Sequence, residues 1–200
     1  MAAGAARDWA AFGTELFLAH AKELSGPSAL PGWTRKHLAA HVAANADALG
    51  NLVHWARTGE RTPMYTSPEQ RNADIEAGSQ LPEAQLTSWL QDSARSLESA
   101  MASLTPQQWQ AEVVTAQGRT VPAAEIPWLR AREVCVHAVD LGAGLTFADL
   151  PEAFLSALVA EIQAKRGLDR LPDGPLPDVA AYLAGRPHSL TGVPGLGPWL

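Results

Sequence analysis

Cysteine is almost absent: the 200 residues contain one, Cys135. A single cysteine excludes a framework of intrachain disulfides and fits a reducing cytoplasm. No stretch approaches the roughly eighteen uninterrupted apolar residues of a membrane span. The first dozen residues lack the basic-then-apolar order of a signal peptide. Positive charge is also scarce. Fifteen Lys and Arg stand against 21 Asp and Glu, a net charge of −6. No basic patch is concentrated enough to grip a phosphate backbone, so neither nucleic acid nor a membrane is an expected partner. Small molecules are, with the chain acting as a monomer or homodimer.

Apolar residues make up 46% of the chain, enough for a sizeable core. The length suits one domain with a small appendage, or two small domains. Helical spacing of Trp9, Phe12, Leu16 and Phe17 predicts a first helix over 7–24, stopped by Gly26-Pro27. Thr34 caps a second, running to about Arg57. A long connection over 59–82 carries a short helix at 69–77, and connections of this length are often functional. A third long helix covers 83–104. Residues 106–121 read as a turn or small hairpin. A fourth long helix runs from Pro122 to Leu141, with Pro127 either kinking it or resetting its start. A fifth helix spans 151–165. Pro172, Gly174, Pro175 and Pro177 mark residues 167–178 as a linker, and a short helix follows at 178–184. The expected fold is all-α: a helical bundle over 1–166 and a C-terminal segment over 167–200.

The chemistry concentrates in Glu133-Val134-Cys135-Val136-His137. Glu133 and His137 lie one helical turn apart on one face, where a carboxylate and an imidazole can share a divalent ion. On spacing alone, an ordinary helical Glu–His pair is the simpler reading. A third ligand would come from another helix. His37 and His41 are also four apart and compete for that role. His41 is deeper, among Ala39, Ala40, Val42 and Ala43, and a buried ring needs a partner. Cys135 points away from both ligands and reads as core packing. Trp9, Trp89 and Trp109 also read as packing.

Several stretches together resemble the mycothiol-dependent maleylpyruvate isomerase family, a group within the DinB-like metal-binding four-helix bundles. They are Gly32-Trp33-Thr34-Arg35 with His41-Val42-Ala43, Asn51-Leu52-Val53-His54-Trp55, Thr62-Pro63-Met64-Tyr65 with Arg71-Asn72, Gln117-Gly118-Arg119, and Arg132-Glu133 with His137 and Asp140-Leu141-Gly142. The resemblance covers most of 28–150. It implies zinc held by His41, Glu133 and His137. It also implies cis–trans isomerisation of maleylpyruvate to fumarylpyruvate, a step of gentisate breakdown in aromatic catabolism. A zinc-bound thiolate would add reversibly to the double bond. Ala181-Tyr182-Leu183-Ala184-Gly185-Arg186 resembles the family segment with a catalytic arginine, which makes Arg186 the candidate catalytic cation. Arg71, Arg119 and Tyr65 are candidates for holding substrate, and Asn45 and His54 for lining the cofactor cavity. The family's C-terminal α/β unit is reduced here to a short helical extension. Mycothiol is therefore joined by ergothioneine and glutathione as candidate thiols. A zinc-dependent thiol S-transferase is the alternative enzyme, and a non-catalytic metal-binding bundle the alternative outside catalysis.

Overall fold

Thr34 sets the longest helix in place. Its side chain accepts from the His37 backbone N–H, and the His37 ring answers by accepting from the Thr34 N–H, a reciprocal cap at the start of Arg35–Thr58. Gly59, in the left-handed region at φ 78°, ends that helix. The computed structural model describes residues 3–197 and 199. Its first unit ends at Ala143 and its second begins at Gly144. The first contains α1 (Ala3–His20), α2 (Arg35–Thr58), α3 (Pro68–Ser79), α4 (Glu83–Ala102), a hairpin of β1 (Glu112–Val114) and β2 (Thr120–Pro122), and α5 (Ile126–Asp140). α6 (Glu152–Arg166) and α7 (Leu176–Leu183) belong to the second.

Four long helices form the bundle expected from the sequence. α1 packs on α5, and α2 packs on both α4 and α5. α3 lies on α2, within the crossover to α4. The hairpin pairs Val113 with Val121 in antiparallel register, and both valines are buried. They close one end of a core built from Leu49, Leu52, Val53, Leu97, Ile126 and Leu129. Each such side chain contributes about 1.5–3 kcal/mol on burial. Pro127 sits in the first turn of α5, where its missing N–H has no intrahelical partner to lose. It resets the helix start. Ala123–Glu125 forms a separate 3-10 turn, so the fourth long helix begins later than Pro122.

One clamp matters most for the site. Arg35 donates from Nε to Leu141 O at 2.8 Å and from Nη2 to Gly142 O at 3.0 Å. It satisfies carbonyls at the C-terminal end of α5 and complements the negative end of that helix dipole. The start of α2 is thereby locked to the end of α5, one turn from His137.

The boundary expected at 166/167 is not the one observed. The division falls after Ala143, and α6 packs with α7 in the second unit. The Pro- and Gly-rich stretch after α6 is a turn between two packed helices. Arg166 ties them by donating from Nε to Leu183 O at 3.1 Å. Among the described residues of this unit there is no strand, and no described helix of the chain is long and apolar enough to cross a membrane.

Candidate metal centre

His41 projects from α2, and Glu133 and His137 project from α5. His41 Nε2 lies 2.9 Å from Glu133 Oε2, and His137 Nε2 lies 3.3 Å from the same oxygen. The two imidazole rings meet edge to face at 4.9 Å between centroids. One ligand atom from each residue falls within 4.8 Å of the others. An ion bonded to three such atoms at about 2 Å needs them about 3.3 Å apart in tetrahedral geometry. Two imidazoles and one carboxylate suit zinc and leave a fourth position for chemistry.

The surroundings orient both rings. Asp140, 1% exposed, accepts from His137 Nδ1 at 2.9 Å and turns Nε2 toward Glu133. A carboxylate behind a ligating histidine fixes its tautomer and raises its basicity. Arg71 Nη2 donates to His41 Nδ1 at 3.2 Å, and the Trp33 ring packs against His41 at 5.6 Å. Burial pushes the Glu133 carboxyl upward, but hydrogen bonds to His137 and His41 together prevail and hold it well below the usual carboxylate range. Burial pulls His41 down, and this outweighs its bond to Glu133. His137 is also opposed by burial, yet its bonds to Asp140 and Glu133 lift it to about 8.

Two expectations follow. Asp140→Asn cannot accept in the same way, and zinc affinity should fall about 10–100-fold with the three ligands intact, measured by competition with a chelating dye. The second concerns pH. His137 must shed a proton to bind metal, and its folded value is about 8. Below that, protons compete with the ion, so affinity should rise about tenfold per pH unit and level off above it. The same competition run from pH 6 to 8.5 reads the slope.

The triad borders a cavity of about 510 Å³ lined from α2, the 61–67 loop, the start of α3, the hairpin and α5. His41 and Glu133 lie on its wall. Asn45, Tyr65, Arg71 and Arg119 line it. Asn45 Oδ1 accepts from Arg130 at 2.9 Å. Tyr65 is half-buried with the Arg71 guanidinium 5.8 Å from its ring, and burial pushes its phenol up. Arg119 pairs with Glu125 at 3.1 Å.

His54 is a correction: it is not among the residues lining this cavity. It faces Glu60 and Arg57, and Trp55 takes the wall instead. One residue is about 100° around a helix, and here that turn carries His54 away from the cavity that Trp55 lines. His37, the rival ligand, is held in the α2 cap and by Glu76 at 3.2 Å. Cys135 is buried against Trp9 O at 3.6 Å, and burial pushes its thiol to about 12. It is packing, as expected. Arg186 belongs to the second unit. It is buried beside Gly185 at the end of α7 and donates to Ala184 O at 2.6 Å.

Three participants had not been singled out from the sequence. Asp140 supports His137, while Arg61 and the buried Arg132 add positive charge to the cavity wall. Asp140 carries a readable signal, since an acid three residues after a histidine shares its helix face. Arg61 carries none, because a loop residue's direction is not encoded by periodicity.

The fold and site define a helical-bundle protein with a His–Glu–His centre able to hold a metal ion. The chain belongs to the family described as the mycothiol maleylpyruvate isomerase N-terminal domain, whose model matches residues 3–142. It is also similar to a solved mycothiol-dependent maleylpyruvate isomerase, at 39% identity and a TM-score of 0.90, covering 100% of this chain and 98% of that one. The structure of a His-to-Ala mutant described under the same name gives the same values. No curated protein matches the chain.

Proposed function

We propose that the chain catalyses the metal- and thiol-dependent isomerisation of maleylpyruvate to fumarylpyruvate. The observation that carries this reading is the convergence of His41, Glu133 and His137 beside an arginine-lined cavity. A zinc ion bound there would make a small thiol available as thiolate near neutral pH, the nucleophile for reversible addition to a conjugated cis double bond. Glu133 stays anionic and His41 neutral, and His137 becomes a neutral donor once it sheds the proton that Asp140 and Glu133 favour.

The rest of the cavity fits a substrate with two acidic ends. Arg61, Arg71, Arg119 and Arg132 line it. A planar guanidinium grips a carboxylate through two parallel hydrogen bonds, and positive charge favours the enolate that nucleophilic addition generates. We assign Arg71 and Arg119 to the substrate carboxylates. Tyr65 covers the site from its loop. Asn45, fixed by Arg130, offers its remaining amide group to the cofactor side. Arg186 is assigned the catalytic cation's part by family resemblance.

The deciding assay mixes zinc-loaded protein, maleylpyruvate and mycothiol, ergothioneine or glutathione in turn. Maleylpyruvate absorbance should fall with one thiol while that thiol stays unconsumed. Stoichiometric consumption would instead establish an S-transferase, and no turnover with any thiol would leave a metal-binding bundle.

A further inference from the structure

The two histidines of the metal centre have opposite partners behind them. His137 Nδ1 donates to the Asp140 carboxylate at 2.9 Å. A neutral ring with its proton on Nδ1 has a lone pair on Nε2 for an ion. His41 Nδ1 instead faces Arg71 Nη2 at 3.2 Å. A guanidinium has donors only and keeps its charge, so His41 Nδ1 is the acceptor. The His41 ring is neutral, because burial lowers its pKa. Its one proton is therefore on Nε2, directed at Glu133 Oε2 2.9 Å away.

Nε2 is also the nitrogen turned toward the rest of the triad. Ligation through it requires the other neutral form, with the proton on Nδ1. That Nδ1–H would point at a guanidinium that can only donate. The Arg71–His41 hydrogen bond and an ion on Nε2 thus exclude each other. The exchange balances: one proton leaves Nε2 for water, one reaches Nδ1 from water, and ring and guanidinium keep their charges. The guanidinium charge also repels a divalent ion at this range. Arg71 has another place to act, since it lines the cavity of about 510 Å³ beside the triad. Its Nη1 is held by Asn72 Oδ1 at 3.1 Å, and its guanidinium is 5.8 Å from the Tyr65 ring on the same wall.

We propose that Arg71 couples metal loading to anion binding: on His41 it opposes the ion, and an ion on Nε2 hands the guanidinium to a carboxylate in the cavity. The inference rests on the metal reading of the triad and not on maleylpyruvate as the substrate. Linkage makes the effect reciprocal. A carboxylate ligand that draws Arg71 off His41 raises metal affinity, and the metal raises affinity for that ligand by the same factor.

Three measurements on the full chain test this. Long-range proton–nitrogen correlation spectra of metal-free protein should place the His41 proton on Nε2, and zinc should move it to Nδ1. Arg71→Met should bind zinc about fivefold or more tightly than the parent in dye competition, the opposite sign to Asp140→Asn. Maleate, a cis dicarboxylate supplied without thiol, should raise the parent's zinc affinity and leave that of Arg71→Met unchanged. If Arg71→Met does not fold, the spectra decide alone. A His41 proton on Nδ1 in metal-free protein, or zinc binding by Arg71→Met no tighter than the parent's, would overturn the proposal. So would a maleate effect that survives in Arg71→Met, which would assign it to direct contact between carboxylate and zinc. Failure of both proteins to bind zinc would sink the metal reading itself, and the coupling with it.

Discussion

His41→Ala should yield folded protein that no longer retains zinc and no longer turns over maleylpyruvate. Glu133 and His137 are on one helix, and they leave an ion with two ligands once the α2 donor is gone. The drop in zinc affinity should exceed the about 10–100-fold that loss of an outer hydrogen-bond partner costs. The fold should survive, because the helix around position 41 is made of fully buried Ala39, Ala40, Val42 and Ala43 and alanine is the best helix former. Truncating the ring removes packing against Trp33 and His137, and a modest fall in melting temperature should follow. His37→Ala is the control. That ring serves the α2 cap and Glu76, so its loss should weaken the helix start by about 0.5–2 kcal/mol and leave metal content unchanged. Metal analysis of both purified variants, with circular-dichroism melts, separates the cases. Stoichiometric zinc in His41→Ala would remove His41 from the ligand set.

The bundle was legible because its signals are local. Thr34 before a long apolar period, Gly59 after it, and Pro127 near the start of α5 each act within one turn. The Glu133–His137 pair was legible for the same reason, although spacing alone did not favour a metal. The third member of the His–Glu–His cluster was not legible from spacing, and only its depth in the helix and the family resemblance pointed to His41. His37 and His41 share the same four-residue spacing, and what separates them is long-range: Glu76 on α3 takes one, Glu133 on α5 the other. The same limit explains His54 and Trp55, where the sequence offered two adjacent residues and packing chose between them. It also explains the boundary. Proline and glycine at 167–178 look like a linker, but the same residues make a turn when Arg166 clamps the following helix to α6.

Gly13→Ala should be the most damaging single-atom addition in the bundle, against the usual sign of such a change. In an unobstructed helix interior, glycine to alanine stabilises by about 1 kcal/mol. Gly50, on α2, has nothing within 4 Å of a built Cβ, and Gly50→Ala should show that gain. At Gly13 a Cβ would sit 2.6 Å from Cys135 Sγ, 2.6 Å from Val134 Cγ2 and 3.0 Å from the Cys135 backbone nitrogen. The two side chains are fully buried and the backbone atom cannot rotate away. α1 and α5, which pack along much of their length, must therefore separate. Overpacking of this kind costs about 1–3 kcal/mol, and here backbone resistance adds to it, so the helix-propensity gain should be overcome. Val134 adjoins Glu133, so a displaced α5 also shifts a member of the candidate metal centre. Urea denaturation should move the Gly13→Ala midpoint down and the Gly50→Ala midpoint up, with zinc affinity reduced in the first variant alone. A Gly13→Ala protein at least as stable as the parent would show that α1 and α5 are not held at this separation. The metal centre would then lose the rigid support that close packing gives its two α5 ligands.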